Sequence, residues 1–161
     1  DDGYGGEMTF VDLGRVQTGM FCGWLRWRID ANTEAVRLYA KALEVLELLA
    51  GRYRLGALTN GNADVERTPL RGLFDHAINA AQAGAPKPAP DLFLKALDWA
   101  GVEPAQALHL GDDPRLDIAP AQGIGMQAVW VNRTRSDWPS GQSPAEHAVS
   151  DLEEFLDWLR A

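Results

Sequence analysis

ALHLGDDPRLDIAPAQGIGMQAVWV, residues 107–131, is the stretch whose reading decides the fold. Residues 107–110 are a short core strand that stops at Gly111-Asp112-Asp113, where the polar pair and the glycine end the apolar run. A helix is expected from about Arg115 to Gly123, followed by a strong strand at residues 126–131 (MQAVWV). Two strands joined through a helix lie parallel, because a crossover of this length returns the chain to the same edge of the sheet.

The same alternation runs outward in both directions. Upstream, residues 53–58 (YRLGAL) read as a mostly buried strand breaking at Thr59-Asn60-Gly61. A helix is expected from about Ala63 to Arg71, a short strand over residues 74–79, and a helix over residues 91–100. Between them, Ala85-Pro86-Lys87-Pro88-Ala89-Pro90 cannot be helix interior, since three prolines remove donors and fix φ. Further upstream, Val36, Tyr39, Leu43, Leu46 and Leu49 recur at helical spacing up to Gly51. Downstream, residues 134–145 are rich in Ser, Pro and Gly and read as loop. Residues 151–160 form an amphipathic helix with Leu152, Phe155, Leu156 and Leu159 on one face. The fold class is therefore α/β: a Rossmann-like parallel sheet with helices on both faces, whose ligands sit at the carboxyl ends of the strands.

Bulk properties narrow the function classes. The 161 residues suffice for one domain with its own core, at 46% hydrophobic and 24% charged composition. No apolar run approaches the roughly 18 residues of a membrane span, and no secretion signal is visible. The net charge of -8 opposes non-specific nucleic-acid binding without excluding a small anion held by local donors. A lone cysteine, Cys22, forms no internal disulfide and points to a reducing cytoplasm. The triplet Asn132-Arg133-Thr134 matches a glycosylation acceptor, which without a secretion signal reads as coincidence.

Three polar clusters fall where an α/β sheet gathers its chemistry. Thr59, Asn60 and the Gly61 backbone are suitable donors to a phosphoryl oxygen, although the same residue types also favour helix caps. Lys87 is aimed by its flanking prolines, and a preorganised ammonium there would neutralise a phosphoryl group. A solvated loop lysine fits that position as well. Asp112, Asp113 and Asp117 place three carboxylates within six residues, and they would repel one another unless a cation relieved them. Hard oxygen ligands of this kind suit Mg²⁺, and helix capping is the bland alternative.

In order and setting, LGALTNGNADV (residues 55–65), GAPKPAPDLFLKAL (residues 84–97) and residues 107–131 resemble the second, third and fourth motifs of the haloacid dehalogenase superfamily. The likeness is to its phosphatases with a helical cap, including those acting on flavin-pathway intermediates and nucleotide-type sugar phosphates, and it covers roughly residues 36–135. It implies that Thr59, helped by Asn60 and Gly61, hydrogen-bonds the transferring phosphoryl group, and that Lys87 steadies that group and the nucleophile. It further implies that Asp112 binds Mg²⁺, that Asp113 is a direct or water-mediated ligand, and that Asp117 is a ligand or orients the others. Dehalogenating members carry Ser and Asn in place of the acidic cluster, so Asp112-Asp113 favours phosphate chemistry on a small phosphorylated metabolite.

The superfamily's first motif, an Asp-x-Asp pair supplying the nucleophile and the general acid/base, occurs nowhere in the 161 residues. The nearest candidate is Asp12 in residues 8–13 (MTFVDL), with Gly14 at the acid/base position. Only some 40 residues separate it from the second motif, too few for a helical cap, so the cap is absent or residual.

Two readings follow. Either Asp12 is a degenerate nucleophile, or the chain is a truncation in which residues 1–32 are a cap remnant or a replacement strand ahead of a core at residues 33–161. The missing leading methionine and the lack of resemblance before Thr33 favour the second. The first-motif strand would lie between the strands ending at Thr59 and Leu110. Residues 8–13 or part of residues 20–29 (MFCGWLRWRI) are expected to fill that slot, or else the two strands pair directly or the sheet stays open. Trp24 and Trp27 in the second segment read as core or cap packing, and an exposed pair would instead offer a surface for self-association. His109 reads as a packed strand residue, and Trp130 and Trp158 as core packing.

Two functions from different classes remain: a Mg²⁺-dependent phosphohydrolase, weak or inactive as this chain, and a non-catalytic domain that keeps a metal and phosphate pocket. A phospho-accepting receiver domain would carry its acids first in the chain rather than last, and no GxxxxGK[ST] loop is present.

Overall fold

A computed structural model describes residues 7–12, 19–26, 42–61, 65–67 and 70–160, with the side chains of the first two segments and of Arg67 left out. Trp27, and any surface built on the Trp24 and Trp27 side chains, lies outside the described residues.

Among the described residues, seven strands form one sheet: β1 (Glu7–Asp12), β2 (Gly19–Arg26), β3 (Tyr53–Thr59), β4 (His76–Asn79), β5 (Leu108–Gly111), β6 (Gln127–Val131) and β7 (His147–Val149), in the order β4-β3-β2-β1-β5-β6-β7. The pairs β2–β3, β3–β4, β5–β6 and β6–β7 are parallel. Among the described residues, five helices flank the sheet: α1 (Ala42–Ala50), α2 (Ala80–Ala83), α3 (Asp91–Ala100), α4 (Ala119–Gly123) and α5 (Leu152–Arg160). This is the expected α/β architecture.

The strands read as continuous apolar runs because helices cover them. Leu55, Ala57 and Leu58 of β3, Leu108 and Leu110 of β5, and Val129 to Val131 of β6 are all buried. Helix α3 turns Leu92, Phe93, Ala96 and Leu97 inward and ends at Gly101, whose φ of 65° allows its N–H to close on the carbonyls of Leu97 and Asp98. Among the described residues, no helix is long and apolar enough to cross a membrane.

Parallel register brings the carboxyl ends of the strands level. Thr59 pairs with Asn79, and Gly111 pairs with Trp130. The space between β3 and β5 is filled by both upstream segments that the sequence offered for it: β2, parallel to β3, and β1, which runs antiparallel to β2, β3 and β5.

Several expected elements differ. In place of a helix from Ala63 to Arg71, the described residues show a single 3₁₀ turn, Val65–Arg67, followed by a turn at residues 70–73. The proline at position 69 and the glycine at position 72 (φ 76°) disfavour a continuous helix there. The helix expected from Arg115 begins instead as a π-helical turn, Pro114–Ile118, in which the Ile118 N–H reaches back to the Asp113 carbonyl at 3.3 Å. Helix α2 and strand β7 were not foreseen. Helix α2 carries a sequence signal in the reciprocal capping box between Asn79 and Gln82.

Candidate functional site

The site is built where β3, the loop at residues 84–90 and the end of β5 meet. At the end of β3, Thr59 is buried, and its Oγ1 accepts the Gly61 N–H at 3.0 Å. That turn occupies the Gly61 donor, which sequence reasoning had aimed at a phosphoryl oxygen. It also fixes one lone pair of the Thr59 hydroxyl, leaving the hydroxyl hydrogen to donate elsewhere.

Asn60 is likewise placed differently from its expected role. Its Oδ1 accepts the Lys87 N–H at 2.7 Å and its Nδ2 donates to the Lys87 carbonyl at 3.0 Å. Both ends of the amide face the lysine's own peptide rather than an incoming ligand.

Lys87 is 4% exposed, and its Nζ donates to Asp117 Oδ1 at 2.6 Å. This is no solvated surface lysine. Asp117 is 1% exposed, and its other oxygen, Oδ2, accepts the Asp113 N–H at 3.1 Å. Burial pushes the Asp117 carboxyl up, but the Lys87 ammonium and the adjacent His109 outweigh it and hold the group well below the usual carboxylate range. Gly111 makes the approach possible. A Cβ there would lie 2.3 Å from the Asp117 Cβ, so only glycine lets the end of β5 close over this carboxylate.

The three aspartates do not form a common ligand cluster. Asp113 Oδ1 accepts the N–H groups of Arg115 and Leu116, capping the turn that begins at Pro114. Asp117 faces Lys87. Asp112 is half-buried at the end of β5, and its carbonyl accepts from Trp130 Nε1 at 2.9 Å. Among the described residues, no group of three His, Cys, Asp or Glu side chains stands together to hold a metal. Mg²⁺ asks for less, since it commonly takes one or two protein carboxylates and completes its shell with water and substrate oxygens. The donor set fits a Mg²⁺ shell with Asp112 as a direct carboxylate, while Asp113 Oδ1 and both Asp117 oxygens are taken by the contacts above.

Asp12 is not brought to this edge. Because β1 is antiparallel, Met8 pairs with Thr59 while Asp12 pairs with Leu108, at the opposite end of β5 from Gly111. At about 3.3 Å per residue, the four steps from Leu108 to Asp112 set Asp12 roughly 13 Å from the acidic turn. In-line attack needs reacting atoms about 3–3.5 Å apart, so this placement removes Asp12 as the nucleophile.

Trp130 and His109 are packed as the sequence suggests, and their partners beside the site come from the fold. Trp130 packs edge-on against Trp138 at 5.1 Å, and the Trp138 Nε1 donates to the Gln142 carbonyl, so the loop after β6 is folded onto the strand that holds the Asp112 peptide. A tryptophan at a strand end reads as core packing until its partner across the sheet is known. His109 is fully buried with Phe93 edge-on at 4.8 Å, and its Nε2 stands 3.7 Å from Asp117 Oδ1, too far for a hydrogen bond. Burial depresses its pKa to about 4, against the pull of Asp117, and keeps the ring neutral.

Known proteins resemble this chain in sequence and fold. The 5-amino-6-(5-phospho-D-ribitylamino)uracil phosphatase of Escherichia coli is 35% identical over 94 residues, covering 58% of this chain and 40% of the relative. The pyrimidine 5'-nucleotidase of Escherichia coli is 30% identical over 137 residues, covering 81% and 60%. Among solved structures, the 2-haloacid dehalogenase of Pseudomonas syringae superposes with a TM-score of 0.73 at 38% identity, covering 78% of this chain and 54% of that one. The chain thus spans 40% to 60% of the length of the two curated relatives. The family model described as haloacid dehalogenase-like hydrolase matches residues 24–125, well over half of the sequence and including every residue of the Thr59–Lys87–Asp117 site. With the parallel sheet and the site at its carboxyl edge, the chain belongs to the haloacid dehalogenase-like hydrolases.

Proposed function

We propose that this chain carries the phosphate- and Mg²⁺-handling part of a phosphohydrolase acting on a small phosphorylated metabolite, in the cytoplasm, with little or no turnover of its own. The observation that carries the reading is the buried Lys87–Asp117 pair at 2.6 Å, tied through Asn60 to the end of β3 where Thr59 stands. A lysine taken out of water and fixed in direction is the group that a dianionic phosphoryl ester requires.

Each residue then has a role in binding and orientation. The Thr59 hydroxyl, fixed by the Gly61 N–H, donates to a phosphoryl oxygen. Lys87 offsets the charge on that group, and Asp117 holds the ammonium in place. Asp112 would hold Mg²⁺, which when bound neutralises phosphoryl oxygens and orients the substrate. Asp113 shapes the turn as its cap. Asp12 takes no part. The acidic pair Asp112-Asp113, where the family's dehalogenases carry neutral residues, favours phosphate over organohalide.

A second reading, a domain that binds phosphate and metal without chemistry, is favoured by the remote position of Asp12 and the absence of an Asp-x-Asp pair from the sequence. One set of measurements separates the two. Inorganic phosphate should bind with Mg²⁺-enhanced affinity in calorimetry, and Lys87→Met should weaken that binding strongly while leaving it measurable. Hydrolysis of p-nitrophenyl phosphate should be weak or undetectable, and any rate present should be unchanged in Asp12→Asn. No phosphate binding at millimolar concentration would sink both readings. Robust turnover lost in Asp12→Asn would reinstate Asp12 as the nucleophile.

A further inference from the structure

We infer that Asn60 is a positioning residue: it acts on the phosphate site through the backbone of Lys87 and does not itself bind the phosphoryl group. The inference rests on the phosphate-site reading above and gives Asn60 a role different from that of its neighbour Thr59.

The loop that bears Lys87 closes one turn of its own, with the Ala89 N–H on the Pro86 carbonyl at 3.0 Å, and that turn leaves the Lys87 N–H and carbonyl to other partners. Pro86, Pro88 and Pro90 contribute no N–H groups, and residues 84–90 belong to no helix or strand. The Lys87 peptide nevertheless has a defined place, because the Asn60 side chain meets it head to tail. Oδ1 accepts the Lys87 N–H at 2.7 Å and Nδ2 donates to the Lys87 carbonyl at 3.0 Å, across 27 residues of sequence. A primary amide reproduces the donor–acceptor pair that a neighbouring strand would offer. Asp, Ser or Leu at this position could not offer both at that reach.

At the far end of the same side chain, Nζ is bound to Asp117 at 2.6 Å. Lys87 is thus fixed at its peptide by the end of β3 and at its ammonium by the turn after β5. A lysine anchored at both ends has given up its conformational freedom before a ligand arrives, which is what preorganisation means for this side chain. Asn60 commits its Oδ1 and one of its two Nδ2 hydrogens to Lys87, so its side chain is oriented by that peptide before any ligand arrives.

A double-mutant cycle tests this, using inorganic phosphate in the presence of Mg²⁺ as the probe and the full chain as the protein. Asn60→Ala should weaken phosphate binding about ten-fold, the scale seen when a supporting contact behind a ligand is removed. In a Lys87→Met background, adding Asn60→Ala should change the remaining affinity by less than about two-fold, because the route of action is already gone. Equal losses in both backgrounds would mean that Asn60 contacts phosphate directly, and no loss in either would mean that it does nothing for the site. Both results overturn the inference.

A second readout does not depend on phosphate. The rate at which formaldehyde and borohydride methylate the Lys87 amine, followed by mass spectrometry, should rise several-fold in Asn60→Ala as the loop loosens. Asn60→Asp, which keeps the acceptor for the Lys87 N–H but loses the donor, should fall between wild type and Asn60→Ala. An unchanged methylation rate in both variants overturns the clamp. A raised rate without any phosphate binding upholds the clamp and refutes only the phosphate reading.

Discussion

Removing the Asp117 carboxylate would leave the Lys87 ammonium, itself 4% exposed, facing a neutral group across a contact that is 2.6 Å in the native protein. The attraction within a buried pair largely offsets the desolvation of its two charges, so deleting one partner exposes the penalty on the other. Asp117→Asn, nearly isosteric and still able to accept the Asp113 N–H, is therefore expected to lower stability by about 3–5 kcal/mol. Urea unfolding at neutral pH measures this, and Lys87→Met added to Asp117→Asn should recover part of the loss. A single variant within about 1 kcal/mol of wild type would show that the pair is better solvated than its burial implies.

At the scale of elements, the junction between β5 and the π-helical turn Pro114–Ile118 determines which carboxylate does what. Asp113 caps the turn, and the turn swings Asp117 back beneath Gly111. Gly111 is needed for space and not for an unusual φ, since a Cβ would meet Asp117 Cβ at 2.3 Å, Cγ at 2.7 Å and Oδ2 at 2.8 Å. Gly111→Ala must push Asp117 off Lys87 or distort the strand end. Overpacking of this kind typically costs about 1–3 kcal/mol, and the displaced pair should add to it. The expected signature is a lower urea midpoint together with loss of phosphate binding; a variant that keeps both would mean that the turn yields without moving Asp117. The sequence announced a polar turn at this place but not its internal division of labour. An aspartate before Pro114 serves equally well as a helix cap or as a metal ligand, and neighbours distant in sequence decide between them.

Over the whole molecule, the buried neutral imidazole of His109 couples stability to acidity. Its folded pKa of about 4 lies below the ordinary histidine value of 6.5. Between those two values the unfolded chain binds the proton that the folded chain refuses, so stability rises with pH. This contribution is complete above about pH 6.5 and is lost as pH falls toward 4, at up to about 1.4 kcal/mol per unit. The Asp117 pair, whose carboxyl is held below its ordinary range, begins to fail only at lower pH. Urea unfolding between pH 7 and 4 should therefore show a decline that His109→Leu flattens. A decline of equal slope in the variant would assign the acid sensitivity elsewhere.

Much of this molecule was legible before any coordinates. Apolar runs of four to seven residues alternating with helical periodicity fix strands and helices locally, and the strands that end in Thr59 and in Gly111-Asp112-Asp113 place polar residues at one edge of a parallel sheet. Only the tertiary structure decided how those residues divide the work. Asn60 reaches Lys87 across 27 positions and Lys87 reaches Asp117 across 30, and no local pattern encodes such partners. It also decided the direction of β1. Period-two alternation is the same whichever way a strand runs, so residues 8–13 could be expected to fill the central slot while their reversed polarity, which carries Asp12 away from the site, could not.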